Sequence, residues 1–143
     1  MLIKAGLLFI LIFISFQSFP QLALGKKIPA AAILRDSSRY ILTNSASIKR
    51  SFQLVIDGNE FSVTLDSRKN VNYIETHDKT FKTPDGVTMK MKYKQLKKFA
   101  SREGIQMETG WAKYVKLKSG WFVAFSFDKE VTDNTEMLFF FQR

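Results

Sequence analysis

The chain has 143 residues, enough for one domain with a real core and short for two. Its 45% hydrophobic and 14% aromatic content excludes a disordered chain, and the absence of cysteine excludes a disulfide framework, a thiol nucleophile, thiolate metal ligands and a lipid-modified cysteine. The formal charge of +9 favours acidic partners such as anionic lipid, polyanionic glycans and acidic proteins, although 16 of the 22 cations are lysines, which also serve simply to solvate a surface.

Met1–Gly25 reads as an export signal. Lys4 forms a short positive region, Ala5–Phe16 is apolar apart from Ser15, and Ala23-Leu24-Gly25 offers small residues where a signal peptidase reads. The run is short for a membrane span, which needs about 20 residues. Cleavage would give a mature chain from Lys26 with no integral span; the competing expectation is a retained anchor over Leu7 to Leu24.

Lys26–Asp36 is open to two readings, a short helix started by Pro29 or an extended edge segment. Tyr40–Thr43 suggests a short strand and Asn44–Ser47 a polar loop. Phe52, Leu54 and Ile56 alternate with Gln53 and Val55, and Phe61, Val63 and Leu65 alternate with Ser62 and Thr64. With Asp57-Gly58-Asn59 between them, these two runs predict a hairpin. Ser67–Asn70 supplies a second turn and Val71–Thr76 a further strand.

The stretch from Phe81 to Arg143 predicts a lead-in loop, a helix and three strands. Tyr93, Leu96, Phe99 and Ala100 fall at helical spacing, opposite the cations Lys90, Lys92, Lys94, Lys97, Lys98 and Arg102, with Gly104 placed to terminate the helix. Trp111–Lys118 alternates as a strand with one wetter face. Ser119-Gly120 turns the chain, and Trp121–Phe127 and Met137–Phe141, apolar on both faces, read as inner strands joined through Asp133-Asn134. The expectation is one α+β domain over residues 26–143: a single antiparallel sheet, made of a meander plus three C-terminal strands, packed by one main amphipathic helix.

The C-terminal half resembles a group of small exported bacterial proteins. The resemblance is carried over about 60 residues by Phe81, Thr83 and Gly86, by Leu96, by Gly110-Trp111 with Tyr114 and Leu117, by Ser119-Gly120-Trp121 with Ala124 and Phe125, and by Phe139, Phe140, Phe141 and Arg143. The chain departs from that pattern at the helix start, where Lys90 and Lys92 stand in place of Gly and a hydroxyl cap worth about 1 kcal/mol. The expected layout, a helix followed by three antiparallel strands, is also similar to β-lactamase inhibitor proteins and small outer-membrane assembly lipoproteins. That likeness implies protein binding rather than catalysis, by analogy of layout.

The only histidine, His77, lies in Glu75-Thr76-His77-Asp78, and a continuing strand would point Glu75 and His77 the same way, the geometry of an oriented general base. No nucleophile motif accompanies it, so a hydrolase using His77 is the weaker expectation and no catalytic residue is assigned. No metal-ligand spacing and no cofactor motif is present. The interleaved cations and aromatics of Lys90–Arg102 belong to a packed helix rather than to a nucleic-acid site. Two functions remain: an exported protein-binding module of the cell envelope, or an envelope-surface protein held on anionic lipid or glycan by its basic helix. The expected binding residues are Lys94, Lys97 and Lys98 for charge, and Trp111, Tyr114 and Trp121 as aromatic anchors.

Overall fold

The computed structural model describes residues 21–143, and antiparallel strands dominate it. Eight of them form one sheet and two a separate ribbon. In chain order they are β1 (Ile33–Asp36), β2 (Tyr40–Asn44), β3 (Ser47–Arg50), β4 (Phe52–Ile56), β5 (Asn59–Leu65), β6 (Val71–Thr76), β7 (Ala100–Glu108), β8 (Ala112–Leu117), β9 (Phe122–Phe125) and β10 (Phe139–Gln142). The sheet order is β1-β4-β5-β6-β10-β9-β8-β7, and β2 pairs with β3.

The last strand joins the two halves. Phe140 is the register partner of Thr76 on β6 and of Val123 on β9, so β10 is the seam between an N-terminal and a C-terminal meander. Its central place explains why it is apolar on both faces: Phe139, Phe140 and Phe141 are all buried.

The expected hairpin is present as β4 and β5, with Leu54 opposite Phe61. Asp57 and Gly58 both take positive φ, 51° and 80°, which a two-residue turn matched to strand twist requires. Beyond β5, Asp66 Oδ1 accepts the backbone N–H groups of Arg68 and Asn70, closing the turn into β6. Of the two readings of Lys26–Asp36, the extended one holds, with β1 an edge strand on β4.

The α+β class does not hold. The expected main helix is one α-turn, α1 (Tyr93–Leu96), continued by a 3-10 turn at Lys97–Phe99. The first turn holds no acid and begins without a side-chain cap from Lys92; only Gln95 Oε1 accepts the Lys92 N–H, at 2.9 Å. A turn so started and crowded with cations cannot propagate alone. From Ala100 the backbone instead pairs with β8, and Gly104, at φ 69°, lies within a register shift of β7 between Ala100↔Leu117 and Ile105↔Val115 rather than ending a helix. The segment Asn44–Ser47, expected as a loop, is the tight end of the β2–β3 ribbon, and that ribbon lies outside the expected single sheet.

The sheet buries a cluster on each face. On one, Leu54, Phe61, Val63, Ile74, Val115, Val123, Phe125 and Phe140 are covered by Leu96, Phe81, Val87 and Met137. Phe81 packs among three rings of this cluster, 5.5 Å from Phe61, 4.8 Å from Trp121 and 5.4 Å from Phe140. Thr83 Oγ1 accepts the Val87 N–H at 3.0 Å and so closes the loop beneath it. On the other face Tyr73, Tyr114, Phe139 and Phe141 form an aromatic layer under the β2–β3 ribbon, with Ile41 and Trp111 at its rim.

The leader expectation falls largely on Met1–Pro20, outside the described residues. Gln21–Gly25 are described: Leu22 and Leu24 pack against the first cluster, and the Gly25 N–H donates to Val71 O at 2.7 Å. Among the described residues no helix is long and apolar enough to cross a membrane.

Candidate functional site

The residues expected to bind a partner fall in three places. Lys94, Lys97 and Lys98 are exposed around α1. Lys97 pairs with Asp133 at 2.6 Å, whereas Lys98, whose Nζ lies 5.1 Å from the Phe99 ring, and Lys90, Lys92 and Lys94 are outside any ion pair among the described residues. The ion pair holds the Asp133 carboxyl below its usual range, through the hydrogen bond from Lys97 first.

Trp111 and Tyr114 come together on the ribbon side, ring centroids 6.0 Å apart, whereas Trp121 is buried on the opposite face. Trp121 lines a pocket of about 570 Å³ with Phe61, Phe81 and Leu22. Trp111 and Trp121 therefore do not form one exposed pair.

Trp111 and Tyr114 belong to a node that fixes the ribbon over the sheet. Trp111 Nε1–H donates to Leu42 O at 3.2 Å. Glu108 accepts both the backbone N–H and the hydroxyl of Ser45, at 2.9 and 3.0 Å, and receives Arg143 on its other oxygen at 3.0 Å. The guanidinium of Arg143 sits 5.0 Å from the Trp111 ring and donates to the Tyr114 hydroxyl. The Ser45 N–H first, and Arg143 with it, hold the Glu108 carboxyl below its ordinary value.

Docked this way, the ribbon turns its other side outward. The register pairs Tyr40 with Arg50 and Leu42 with Ile48, and Tyr40 and Ile48 are each 68% exposed, Leu42 45%. Of the nine large apolar side chains most exposed among the described residues, five (Ile33, Leu34, Tyr40, Leu42 and Ile48) fall within this one stretch of chain. Arg50, the register partner of Tyr40, shares this side; it donates to Ser37 O at 2.6 Å and has no acid in ion-pair range among the described residues. The sequence signal was present in Tyr40, Leu42 and Ile48, but two-residue alternation does not say which side faces out when the strand belongs to a ribbon.

Between ribbon and sheet lies a cleft of about 490 Å³, lined by Glu60, Glu75, His77 and Asp78 from the sheet side and by Arg39, Tyr40 and Ile41 from the ribbon side. Glu75 and His77 do point the same way, as the strand reading implied, with Nε2 of His77 3.5 Å from Glu75 Oε2. His77 rests against Phe139, ring centroids 4.9 Å apart. The nearest hydroxyl in register, Ser62, donates to Gln53 at 2.7 Å rather than to His77. Burial pushes the Tyr73 phenol far above its ordinary range, the neighbouring Glu75 adding to it, so that phenol stays a hydrogen-bond donor to Glu75.

No protein family, no curated protein and no solved structure matches the chain.

Proposed function

We propose that the protein is an exported, non-enzymatic binding module that engages an acidic protein surface through the outward face of the β2–β3 ribbon. The observation that carries this reading is the cluster of Tyr40, Leu42 and Ile48, exposed on one side of a ribbon whose other side is pinned down by Trp111 and Glu108. Exposed apolar side chains gathered on one surface and rimmed by charge mark interaction sites, and aromatic side chains supply their anchors. Arg50, the register partner of Tyr40 on this side, and the chain's formal charge of +9 make an acidic partner the complementary one.

The test is capture from envelope extract of the native host by the wild-type chain and by the Tyr40→Ser, Leu42→Ser, Ile48→Ser variant. These three side chains face outward, so the variant should fold and melt as the wild type does. A discrete captured protein that the variant loses supports the reading; equal capture by both overturns it.

A second reading is favoured by Lys90, Lys92 and Lys94, exposed beside α1 and without ion pairs among the described residues: attachment to anionic lipid or glycan. Salt separates the two. Headgroup contacts weaken steeply as ionic strength rises through the physiological range, while an apolar-anchored interface does so much less.

A further inference from the structure

We propose that the cleft between ribbon and sheet binds an organic cation, an ammonium or guanidinium group carried by a small molecule or by a peptide side chain. The chain is strongly basic, yet this cleft gathers Glu60, Glu75 and Asp78. Among the described residues Glu75 is the only buried charged residue, 8% exposed. One of its oxygens accepts the Tyr73 hydroxyl at 3.3 Å; the other opens on the cleft and accepts no hydrogen bond among the described residues, with His77 Nε2 in ion-pair range alone.

A carboxylate withdrawn from water without a full counter-charge is costly to keep, and a cation entering beside it recovers much of that cost. The one permanent cation in the lining does not meet this need. Arg39 at the rim is held by Asp36 at 3.1 Å, and Asp78 is taken up by the N–H groups of Glu60 and Thr80. Glu60 has no ion pair among the described residues and adds a second carboxylate.

The walls fit the same ligand. Ile41 and Phe61 line the cleft beside the acids and offer apolar surface to the stem of such a group, and about 490 Å³ leaves room for a small molecule or a peptide side chain. Among the described residues no group of three His, Cys, Asp or Glu is placed to hold a metal ion.

The experiment titrates arginine amide into the isotope-labelled chain at low salt, following backbone amide resonances, with citrulline amide as the neutral isostere. The expected result is saturable shifts at Glu60, Glu75, His77 and Tyr40 with arginine amide and none with citrulline amide. Glu75→Gln should weaken binding by about tenfold or more, and Glu60→Gln by less. A capped Gly-Arg-Gly peptide that binds more tightly than the free amide assigns the site to a peptide side chain, and the reverse order assigns it to a small molecule. Equal binding of citrulline amide, no saturable shifts, or unchanged affinity in a folded Glu75→Gln chain overturns the proposal. Should Glu75→Gln fail to fold, the citrulline arm and Glu60→Gln decide.

Discussion

Arg143 reaches Glu108 at 3.0 Å, and through Glu108 the central strand β10 is tied to a ribbon with which it shares no backbone ladder. Glu108 also receives Ser45 from the ribbon, so one carboxylate joins the two sheets. The ionised Glu108 side chain is one of the contacts that hold the ribbon, and with it the outward face of Tyr40, Leu42 and Ile48, beside the Trp111 bond to Leu42 O and the packing of Ile41.

A pH dependence follows. The folded Glu108 carboxyl sits below its ordinary value of 4.5, so its contribution is fully present above that value and is lost as pH falls through the lower folded one. The indole N–H resonance of Trp111, which donates to Leu42 in the ribbon, should shift on acidification below about pH 4.5, before global unfolding. In Glu108→Gln the indole should already resemble the acid form at neutral pH and show no such step.

The seam strand sets the second prediction. Phe141→Ala or Phe139→Ala should cost about 3–5 kcal/mol, as deletion of a large buried aromatic does. Phe141 stands to lose more, because it is fully buried and stacks on Phe122 at 4.8 Å and on Tyr73 at 6.2 Å. Ending the chain at Thr135 removes β10 and leaves the β6 and β9 edges unpaired. Such a chain should not melt cooperatively, and a truncated chain that melted near the full-length temperature would refute the seam.

The N-terminal contacts allow a third. Leu22 and Leu24 pack on the first core cluster, so a chain starting at Gln21 should be more stable than one starting at Lys26. Partial burial of two leucines sets the difference at about 1–3 kcal/mol. Denaturant midpoints of the two chains, compared at equal slope, measure it.

Much of the sheet was legible because its strands obey one periodicity. β4, β5 and β6 alternate or end at clear turn residues, and β9 and β10 are apolar on both faces, as buried inner strands must be. Two strands were not legible. β7 is an edge strand broken by a register shift and carries Arg102, Glu103 and Gly104 in its middle, so neither of its faces is apolar. β3 holds a single large apolar residue, Ile48, and turns it to solvent. The helical spacing of Tyr93, Leu96, Phe99 and Ala100 was real, but pairing of Ala100 with Leu117 overrode it after seven residues of helical turn. The expected site divided for a related reason: strand parity places Trp121 on one face of the sheet and Tyr114 on the other, which spacing alone shows only once the pairing is known.

The lysine row yields a fourth prediction. Changing Lys94, Lys97 and Lys98 to Glu should slow association with an acidic partner and flatten its salt dependence, with little change in dissociation. Lys97→Glu alone should also lower stability slightly, since it sets a like charge against Asp133. Binding kinetics at several salt concentrations, with melting of the single variant, check both.

The ribbon surface is tested most directly by a photo-crosslinking residue placed in turn at Ile48 and at Lys94, and at Asp57 in the β4–β5 turn as a control, with irradiation in envelope extract. The account predicts one discrete adduct from position 48, lost when Tyr40→Ser is added, and none from position 57. An adduct formed from position 94 or 57 while position 48 stays unreacted would contradict it.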